Sequence, residues 1–440
     1  MDSFEKVDAM NQKIIKRYRK EYESSRGEPI LTLTRHLRYA INYPKYGDER
    51  NANVMLFGTP NYAAGLFYRN LAEMNSSYII EDAEGELLRR TYALLDSNHY
   101  IIRILSFADP KHSSCYNPFA YADKDSPDFM ESIDEIVSAF IPGQFREAPH
   151  LQSFVCEAAC AMYENSEPQD RNIWMLVDNI KNIIHDDSIT SHDSNIHIHQ
   201  DEVGVLSEAL RELVCFWEEH ADILNVCSPA YEDGRLTEEN IVFHEIQESK
   251  YCVFMQPGSD EFSSSLMSLF ISQIFAVLQN NTMPFLHTQV MLNDITHITF
   301  SKSFIQNFTA KPVKFCSVWI YMDSMYVLRE KFGRDYMTVA HKCTIRLIDG
   351  TVDSSTESML LLGMAKRAYY VPYLGTRELN QIEDLVEDFL HDNRCKVIIR
   401  GHCLMLDDGF MENQLPPINT KNPTYRFQHI YVCTDKRNPG

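Results

Sequence analysis

From Asn53 onward, short runs of apolar and β-branched residues alternate with longer segments whose apolar residues recur every three or four positions. The short runs are typical of buried strands, and the longer segments are typical of helices that pack against them. This alternation predicts an α/β core with a mainly parallel, doubly wound sheet. We predict strands at residues 54–57, 78–81, 101–107, 251–255, 289–292, 317–321, 344–348 and 396–399, and helices at 84–95, 264–278 and 323–331 among others.

The strand pattern disappears between about residues 149 and 248, where helical periodicity is interrupted by a polar stretch at residues 188–201. A helical stretch inside an α/β pattern predicts an inserted all-α domain. The chain therefore divides into five parts. They are a charged helical segment at residues 1–29, the first part of the core at 30–148, the all-α insertion at 149–248, the second part of the core at 249–402, and an extension at 403–440 with one more predicted strand at 425–434.

The acidic charge of the chain excludes a role in coating DNA. Its 62 acidic residues outnumber 41 basic ones, for a net charge of -21, which repels nucleic acid and anionic membranes unless basic residues cluster. One basic cluster lies at residues 13–20 in a predicted N-terminal helix. A solvated amphipathic helix is the favoured interpretation, and contact with a protein, lipid or nucleic acid is the alternative, so direct DNA binding stays open.

The cysteines and the apolar runs indicate a cytoplasmic protein. Eleven cysteines without a secretory leader or regular spacing are typical of reduced thiols. Cys156 and Cys160 lie four residues apart in an apolar stretch, which favours burial on a helix over metal binding. The longest apolar run, residues 266–278, is too short to span a bilayer of about 30 Å. We therefore expect no transmembrane segment, and membrane contact only through partners.

Several segments, in order along the chain, resemble the type IV secretion coupling proteins, the TraG/TraD-like ATPases of conjugative DNA transfer. Residues 76–90 resemble the strand and helix that carry the family's Asp-Pro-Lys-Gly-Glu signature, and residues 108–121 resemble its Asp-Pro and Tyr-Asn-Pro-Phe segment. The other similar segments are residues 30–43, 51–58, 253–275, 290–298 and 397–401. The resemblance implies a RecA-like P-loop NTPase core with an all-α insertion, a place in a conjugation or secretion machinery, and compatibility with an oligomer. It also implies a degenerate member without the family's membrane segments.

The place of the phosphate-binding loop lacks the residues that hold a nucleotide. A working loop reads Gly-x-x-x-x-Gly-Lys-Ser/Thr, because its backbone amides wrap the phosphates and its lysine neutralises them. Here residues 58–65 read GTPNYAAG. Ala63 replaces the second glycine, Ala64 replaces the lysine, and Gly65 replaces the hydroxyl that would ligate Mg²⁺. Pro60 removes a further amide donor.

The second nucleotide motif is altered as well. It should be an apolar strand that ends in Asp-Glu, with one carboxylate on Mg²⁺ and the other on the attacking water. This strand ends in Asn293 and Asp294, so an amide stands where magnesium needs charge. The signature lysine is reversed to Glu84, and the glutamine usual after a later strand is Asp323. The degenerate pocket predicted from these changes consists of Gly58, Thr59, Ala64, Gly65, Asn293 and Asp294.

These losses predict a pseudo-ATPase that binds no cofactor and acts as an adaptor or regulator beside active coupling-protein homologues. The alternative from another class is an active ATPase with an atypical pocket, completed by a neighbouring subunit. A decaying remnant of a mobile element is a third hypothesis. In the favoured interpretation, Gly58, Gly65 and Asp82 serve turns and helix caps. A pocket for another anion at the helix N-terminus stays open.

A histidine-rich stretch carries the remaining candidate chemistry. Imidazole and carboxylate could bind Zn²⁺ or Ni²⁺, but without cysteine or a helical spacing a polar surface loop is favoured. The residues are His185, Asp186, Asp187, His192, Asp193, His197 and His199. Residues 116–119 are interpreted as a fold-specific turn, and no nucleophile elbow supports a hydrolase.

Overall fold

The computed structural model describes residues 30–34, 37–40, 52–185, 202–232, 235–280, 286–310, 315–350, 353, 356, 368–371, 375–378, 393–399 and 403–407. The predicted N-terminal helix, nearly all of the histidine-rich stretch and the predicted strand at residues 425–434 lie outside these residues. Within them the chain has the α/β architecture that the hydrophobic pattern predicts.

One large sheet organises the protein. The strands are β1 (Ile30–Thr32), β2 (Arg38–Ala40), β3 (Val54–Phe57), β4 (Ser76–Glu81), β5 (Ile101–Ser106), β6 (Tyr231–Glu232), β7 (Arg235–Leu236), β8 (Tyr251–Gln256), β9 (His287–Leu292), β10 (Cys316–Met322), β11 (Ile345–Ile348), β12 (Ala368–Val371), β13 (Gly375–Glu378), β14 (Cys395–Ile399) and β15 (Cys403–Asp407). Eleven of them form the sheet in the order β13-β12-β15-β14-β11-β3-β10-β9-β4-β8-β5. From β11 to β5 every neighbouring pair is parallel.

Helices connect the parallel strands and cover the sheet. They are α1 (Pro60–Glu73), α2 (Glu86–Ser97), α3 (Phe129–Phe140), α4 (Leu151–Asn165), α5 (Ile173–His185), α6 (Glu202–Glu219), α7 (Ala221–Val226), α8 (Phe243–Glu248), α9 (Glu261–Asn280), α10 (Lys302–Ala310), α11 (Met325–Phe332) and α12 (Tyr336–Lys342). All eight predicted strands form, to within two residues at each end. The strand predicted at residues 396–399 runs antiparallel to β11, which the residue pattern could not indicate.

Burial on both faces explains the near-continuous apolar strands. Strands β4, β8, β9 and β10 are buried along their whole length, as expected for a parallel sheet covered by helices. One face packs against α1 and α2. The other face shares a single hydrophobic cluster with α3 to α12. The helical segment between β5 and β8 therefore has no separate core, and it begins with α3, before residue 149. The domain boundaries themselves stay a prediction.

The longest apolar run lies in α9, a helix of 20 residues. Among the residues that the structure describes, α9 is the one helix long and apolar enough to cross a membrane, and 67% of its apolar window is buried inside the protein. The run at residues 266–278 is thus part of a core helix. Burial of Cys156 on α4 is also confirmed, whereas Cys160 on the same helix is partly exposed.

A buried asparagine of α1 forms hydrogen bonds with the backbone of β1. The Asn70 Oδ1 atom accepts a hydrogen bond from the Thr32 amide at 2.9 Å, and its Nδ2 group donates to the Thr32 and Leu66 carbonyls at 2.9 and 3.0 Å. Asn70 has no exposed surface and Thr32 is 2% exposed. Removal of the amide would leave buried backbone groups without partners, which is costly.

We predict that Asn70→Ala lowers the free energy of unfolding by about 2–4 kcal/mol, because both backbone groups of Thr32 lose their partner. Urea denaturation measures this change. Asn61→Ala is the matched control, since Asn61 is exposed on the same helix and its loss should cost less than about 0.5 kcal/mol. Equal costs for the two variants would contradict the role of Asn70.

Candidate functional site

The two altered motifs meet at one edge of the sheet. Gly58 follows β3, and Asn293 and Asp294 follow β9, with β10 between these two strands. Parallel strands end at the same edge, and ligands of open α/β folds bind outside their carboxyl ends. Adjacent strands lie about 4.8 Å apart, so the ends of β3 and β9 are separated by about 10 Å. This is the distance at which two motifs can share one ligand.

The segment after Gly58 is a helix instead of a loop. Helix α1 begins at Pro60, and Thr59 is its N-cap. The Thr59 carbonyl accepts hydrogen bonds from the Tyr62 and Ala63 amides at 3.0 and 3.2 Å, and its Oγ1 accepts from the Tyr62 amide at 3.3 Å. Amides that a phosphate loop would turn toward its ligand are thereby used within the helix.

Residues 60–65 therefore lie in the first turns of a helix, and the prediction that Gly65 serves a turn or a cap is wrong. Proline at the first helical position and threonine at the cap both favour a helix start here. Burial of Tyr62 and Ala63 holds the first turn against the sheet. Gly65 is buried inside α1 and serves no turn, and Ala64 is half-buried beside it.

Gly58 is held closely by its neighbours. Its φ of 145° lies outside the range that residues with a side chain usually adopt. A Cβ atom at this position would lie 2.8 Å from the Cβ of Asp349. The Tyr321 hydroxyl donates to the Gly58 carbonyl at 3.0 Å. Gly58 thus serves a tight passage between strand and helix, as the turn interpretation predicts.

Asp294 caps a short turn. Its Oδ1 atom accepts hydrogen bonds from the Thr296 amide at 2.9 Å and from the Thr296 hydroxyl at 2.6 Å. The neighbouring Asn293 Oδ1 is buried without a partner among the residues that the structure describes. Asp294 is therefore committed to local structure, and Asn293 contributes a neutral oxygen at this edge.

Glu81, at the end of β4, belongs to the same site and was not among the residues singled out from the sequence. The pKa of Glu81 is raised to about 8, mainly by burial and also by the Asp294 and Asp82 carboxylates, although hydrogen bonds from the Asp294 and Asn293 amides lower it. The Asp294 amide donates a hydrogen bond to Glu81 Oε2 at 2.9 Å. Glu81 Oε1 has no partner within the described residues. The available signal was an acidic residue at the end of an otherwise apolar predicted strand.

Asp82 has the capping role that the sequence predicts. Its two carboxylate oxygens accept hydrogen bonds from the Leu87 and Leu88 amides of α2 at 3.2 and 2.8 Å. Burial raises the pKa of Asp82 to about 6, although these amides lower it. Amide donors at the start of a helix favour a carboxylate at this position.

Negative groups dominate the sheet edge. Asp323 follows β10 and Asp349 follows β11, so they lie at the same edge as Asp294. The pKa of Tyr321 is raised to about 12, first by burial and then by the Asp323 and Asp294 carboxylates. The ammonium groups of Lys331 and Lys396 also reach this edge, but each donates to a backbone carbonyl, of Thr296 and Gly350 respectively.

The other candidate sites have less structure to support them. His185 is the last residue of α5, and the rest of the histidine-rich stretch lies outside the described residues. No group of three or more histidine, cysteine or acidic residues that could hold a metal occurs in the described part of the chain. Residues 116–119 form a buried turn in which the Asn117 side chain accepts from the Phe119 amide at 3.2 Å, as predicted.

Known proteins of conjugation and secretion resemble this chain in sequence over residues 46–214 and in fold over most of its length. Residues 46–214 match the family model described as type IV secretory system conjugative DNA transfer. The bacterial conjugative coupling protein TrwB with sulphate is 11% identical at a TM-score of 0.58, over 93% of this chain and 94% of that chain. TrwB with ADP and Mg²⁺ gives 11% and 0.58 over 93% of each chain. VirB4 of Thermoanaerobacter pseudethanolicus gives 11% and 0.54, over 92% of this chain and 99% of that chain. No curated protein matches the chain significantly.

The fold is that of the RecA-like P-loop NTPases, with a mainly parallel sheet. At identities near 11% the likeness to solved structures shows the fold alone. The match of residues 46–214 goes further. This match, over 169 of the 440 residues, agrees with the resemblance to the type IV secretion coupling proteins found in the sequence.

We predict that Glu81→Gln changes the pH dependence of stability. The pKa of Glu81 is raised from 4.5 to about 8 by folding, so the folded protein binds this proton more tightly than the unfolded chain does. The resulting stabilisation of the wild type is fully present below pH 4.5 and is lost as pH rises from 4.5 through about 8. The variant has no such loss, so its stability relative to wild type should rise by about 4 kcal/mol between pH 5 and pH 9. Urea denaturation across this range measures the difference.

Glu84→Gln is the control for this test, because Glu84 lies in the same connection but is exposed. Its stability relative to wild type should stay constant with pH. A constant difference for Glu81→Gln as well would show that Glu81 is ionised at neutral pH.

Proposed function

We propose that this protein is a catalytically degenerate coupling-protein relative that works by binding other components of a conjugation or secretion machinery. The observation that carries the proposal is the start of α1 at Pro60, two residues after Gly58. A triphosphate needs several backbone amides from a loop at this place. In the first turn of α1 the Tyr62 and Ala63 amides donate to the Thr59 carbonyl, and Pro60 has no amide to donate.

Loss of the lysine adds to the loss of the loop. Each charge-assisted hydrogen bond to a phosphate contributes about 1.5–3 kcal/mol, and Ala64 offers none. Two or three such losses weaken a micromolar affinity by a factor of about a thousand or more. The carboxylates of Asp294, Asp323 and Asp349 at the same sheet edge repel a polyphosphate further.

The expected role is therefore that of an adaptor or regulator. A protein that keeps the family fold can still occupy a place in an assembly whose active members hydrolyse ATP. The partners that we propose are proteins of the conjugation or secretion machinery, active coupling-protein homologues among them. We place this role on the cytoplasmic side of the membrane. The rival function, an ATPase with an atypical pocket, differs in its need for nucleotide.

We predict that the purified chain binds ATP with Mg²⁺ only at a Kd above about 1 mM, because neither loop amides nor a lysine are available. Isothermal titration calorimetry measures the affinity. Steady-state turnover should stay below about 0.1 s⁻¹ with and without DNA, against a typical enzyme rate of about 10 s⁻¹. Micromolar binding, or faster turnover, would support the rival ATPase.

A single substitution distinguishes the effect of the missing lysine on ATP affinity from the effect of the missing loop amides. Ala64→Lys returns the family lysine to its register position, but that position now lies in a helix. We predict that this variant still binds ATP with a Kd above about 1 mM. Micromolar affinity of Ala64→Lys would show that the helix start at Pro60 is no obstacle.

A further inference from the structure

Nearly all the net charge of the protein is concentrated in the helical segment between β5 and β8. Residues 129–248 contain 25 aspartates and glutamates and 5 lysines and arginines, which is a net charge of -20 out of -21 for the whole chain. The rest of the protein is almost neutral. Such a field attracts cations over about 8–10 Å at physiological salt, and it repels polyanions.

This distribution selects the kind of partner that the helical segment can bind. Nucleic acid and anionic lipid carry the same sign of charge and are repelled. A protein segment rich in lysine or arginine has the complementary charge. Electrostatic complementarity of this kind accelerates association and excludes competing surfaces.

A shallow cavity lies on the outer face of α6. Its volume is about 540 Å³, and Gln144, Phe145, Arg211, Glu212, Cys215, Phe216 and Glu219 line it. Glu212, Cys215 and Glu219 are three and four positions apart, so they share one face of the helix. Each of these three residues is exposed, so the cavity is accessible from solvent.

Aromatic rings form the apolar part of this cavity. The Phe216 ring is half-buried and stacks on His220 with centroids 3.9 Å apart. Phe145 and Phe262 meet it edge-on at 5.8 and 5.2 Å. These contacts fix the orientation of Phe216, and a fixed aromatic face binds ammonium and guanidinium groups.

The carboxylates of the cavity have no ion-pair partner in the described part of the chain. Elsewhere on α6, Glu218 pairs with Lys181 at 2.7 Å, and Glu202 lies 3.2 Å from His150. Glu212 and Glu219 form no ion pair or side-chain hydrogen bond among the described residues. They flank Phe216 and can accept charge-assisted hydrogen bonds from an incoming cationic side chain.

We propose that this cavity, centred on Phe216 between Glu212 and Glu219, is a docking site for a lysine- or arginine-rich segment of a partner protein. A cationic side chain would lie over the Phe216 ring while the two carboxylates hold its charged group. The surrounding negative charge of residues 129–248 would attract the rest of the segment. The inference rests on the proposed binding function and names the chemistry of the partner.

The test uses the full chain and a short fluorescent peptide of alternating lysine and alanine, with fluorescence anisotropy as the readout at about 0.15 M salt. Wild type should bind the peptide, and the Glu212→Gln/Glu219→Gln variant should bind about tenfold more weakly. Phe216→Leu should weaken binding about fivefold, because it keeps apolar volume but loses the aromatic face. The double variant changes only exposed side chains, so it tests the proposal even if Phe216→Leu does not fold.

The matched control is Glu232→Gln/Glu238→Gln, which removes the same charge from exposed positions of the same segment outside the cavity. It should weaken binding less than about twofold. Equal losses for the two double variants would overturn the proposal by showing diffuse attraction only. Absence of binding to wild type would also overturn it.

Two further outcomes are distinct. Self-association of wild type by sedimentation velocity, abolished in the Glu212→Gln/Glu219→Gln variant, would make a second copy the occupant and overturn the partner assignment. Tight ATP binding would overturn the proposed function while leaving peptide binding at the cavity intact, so the two failures can be told apart.

Discussion

The structure depends on the burial of a parallel sheet whose backbone groups must all find hydrogen-bond partners. β3 lies between β10 and β11, and the side chain of Asn53 accepts a bond from the Val318 amide where the ladder begins. Helices cover both faces, so polar groups inside the sheet have no access to water. Strand order is therefore fixed, and with it the set of strand ends that meet at the carboxyl edge.

At that edge three side chains cap local structure, whereas a phosphate-binding loop would leave such groups for a ligand. Thr59 caps α1, Asp82 caps α2, and Asp294 caps the turn after β9. Each cap stabilises the fold by about 1 kcal/mol, and each removes a group from the reach of phosphate or magnesium. Glu81 remains as a buried carboxyl whose charge is disfavoured by burial and by Asp294. Together these features favour a stable edge with little attraction for an anion.

Net charge is distributed unevenly between two parts of the protein that share one hydrophobic core. The helical segment shares its hydrophobic cluster with one face of the sheet, so the two parts fold as a unit. Residues 129–248 nevertheless carry nearly all of the net negative charge. The proposed cationic partner would meet aromatic rings that already pack against one another, and a pre-organised site loses little conformational entropy on binding.

Local pattern was sufficient for much of this protein. Apolar runs of four to seven residues predicted the eight strands, and the replacement of lysine by Ala64 and of aspartate by Asn293 is readable directly from the motifs. Tertiary structure decided what depends on neighbours distant in sequence. Three features depend on residues far apart in the chain. They are the antiparallel pairing of β14 with β11, the contact of Glu81 with Asp294, and the position of Gly58 against Tyr321 and Asp349. The helix start at Pro60 was signalled locally by threonine and proline, but only packing of Tyr62 and Ala63 against the sheet selects it over a loop. Sequence periodicity reports which side of an element is apolar, whereas the shift of a pKa or the closure of a pocket depends on which other elements bury it.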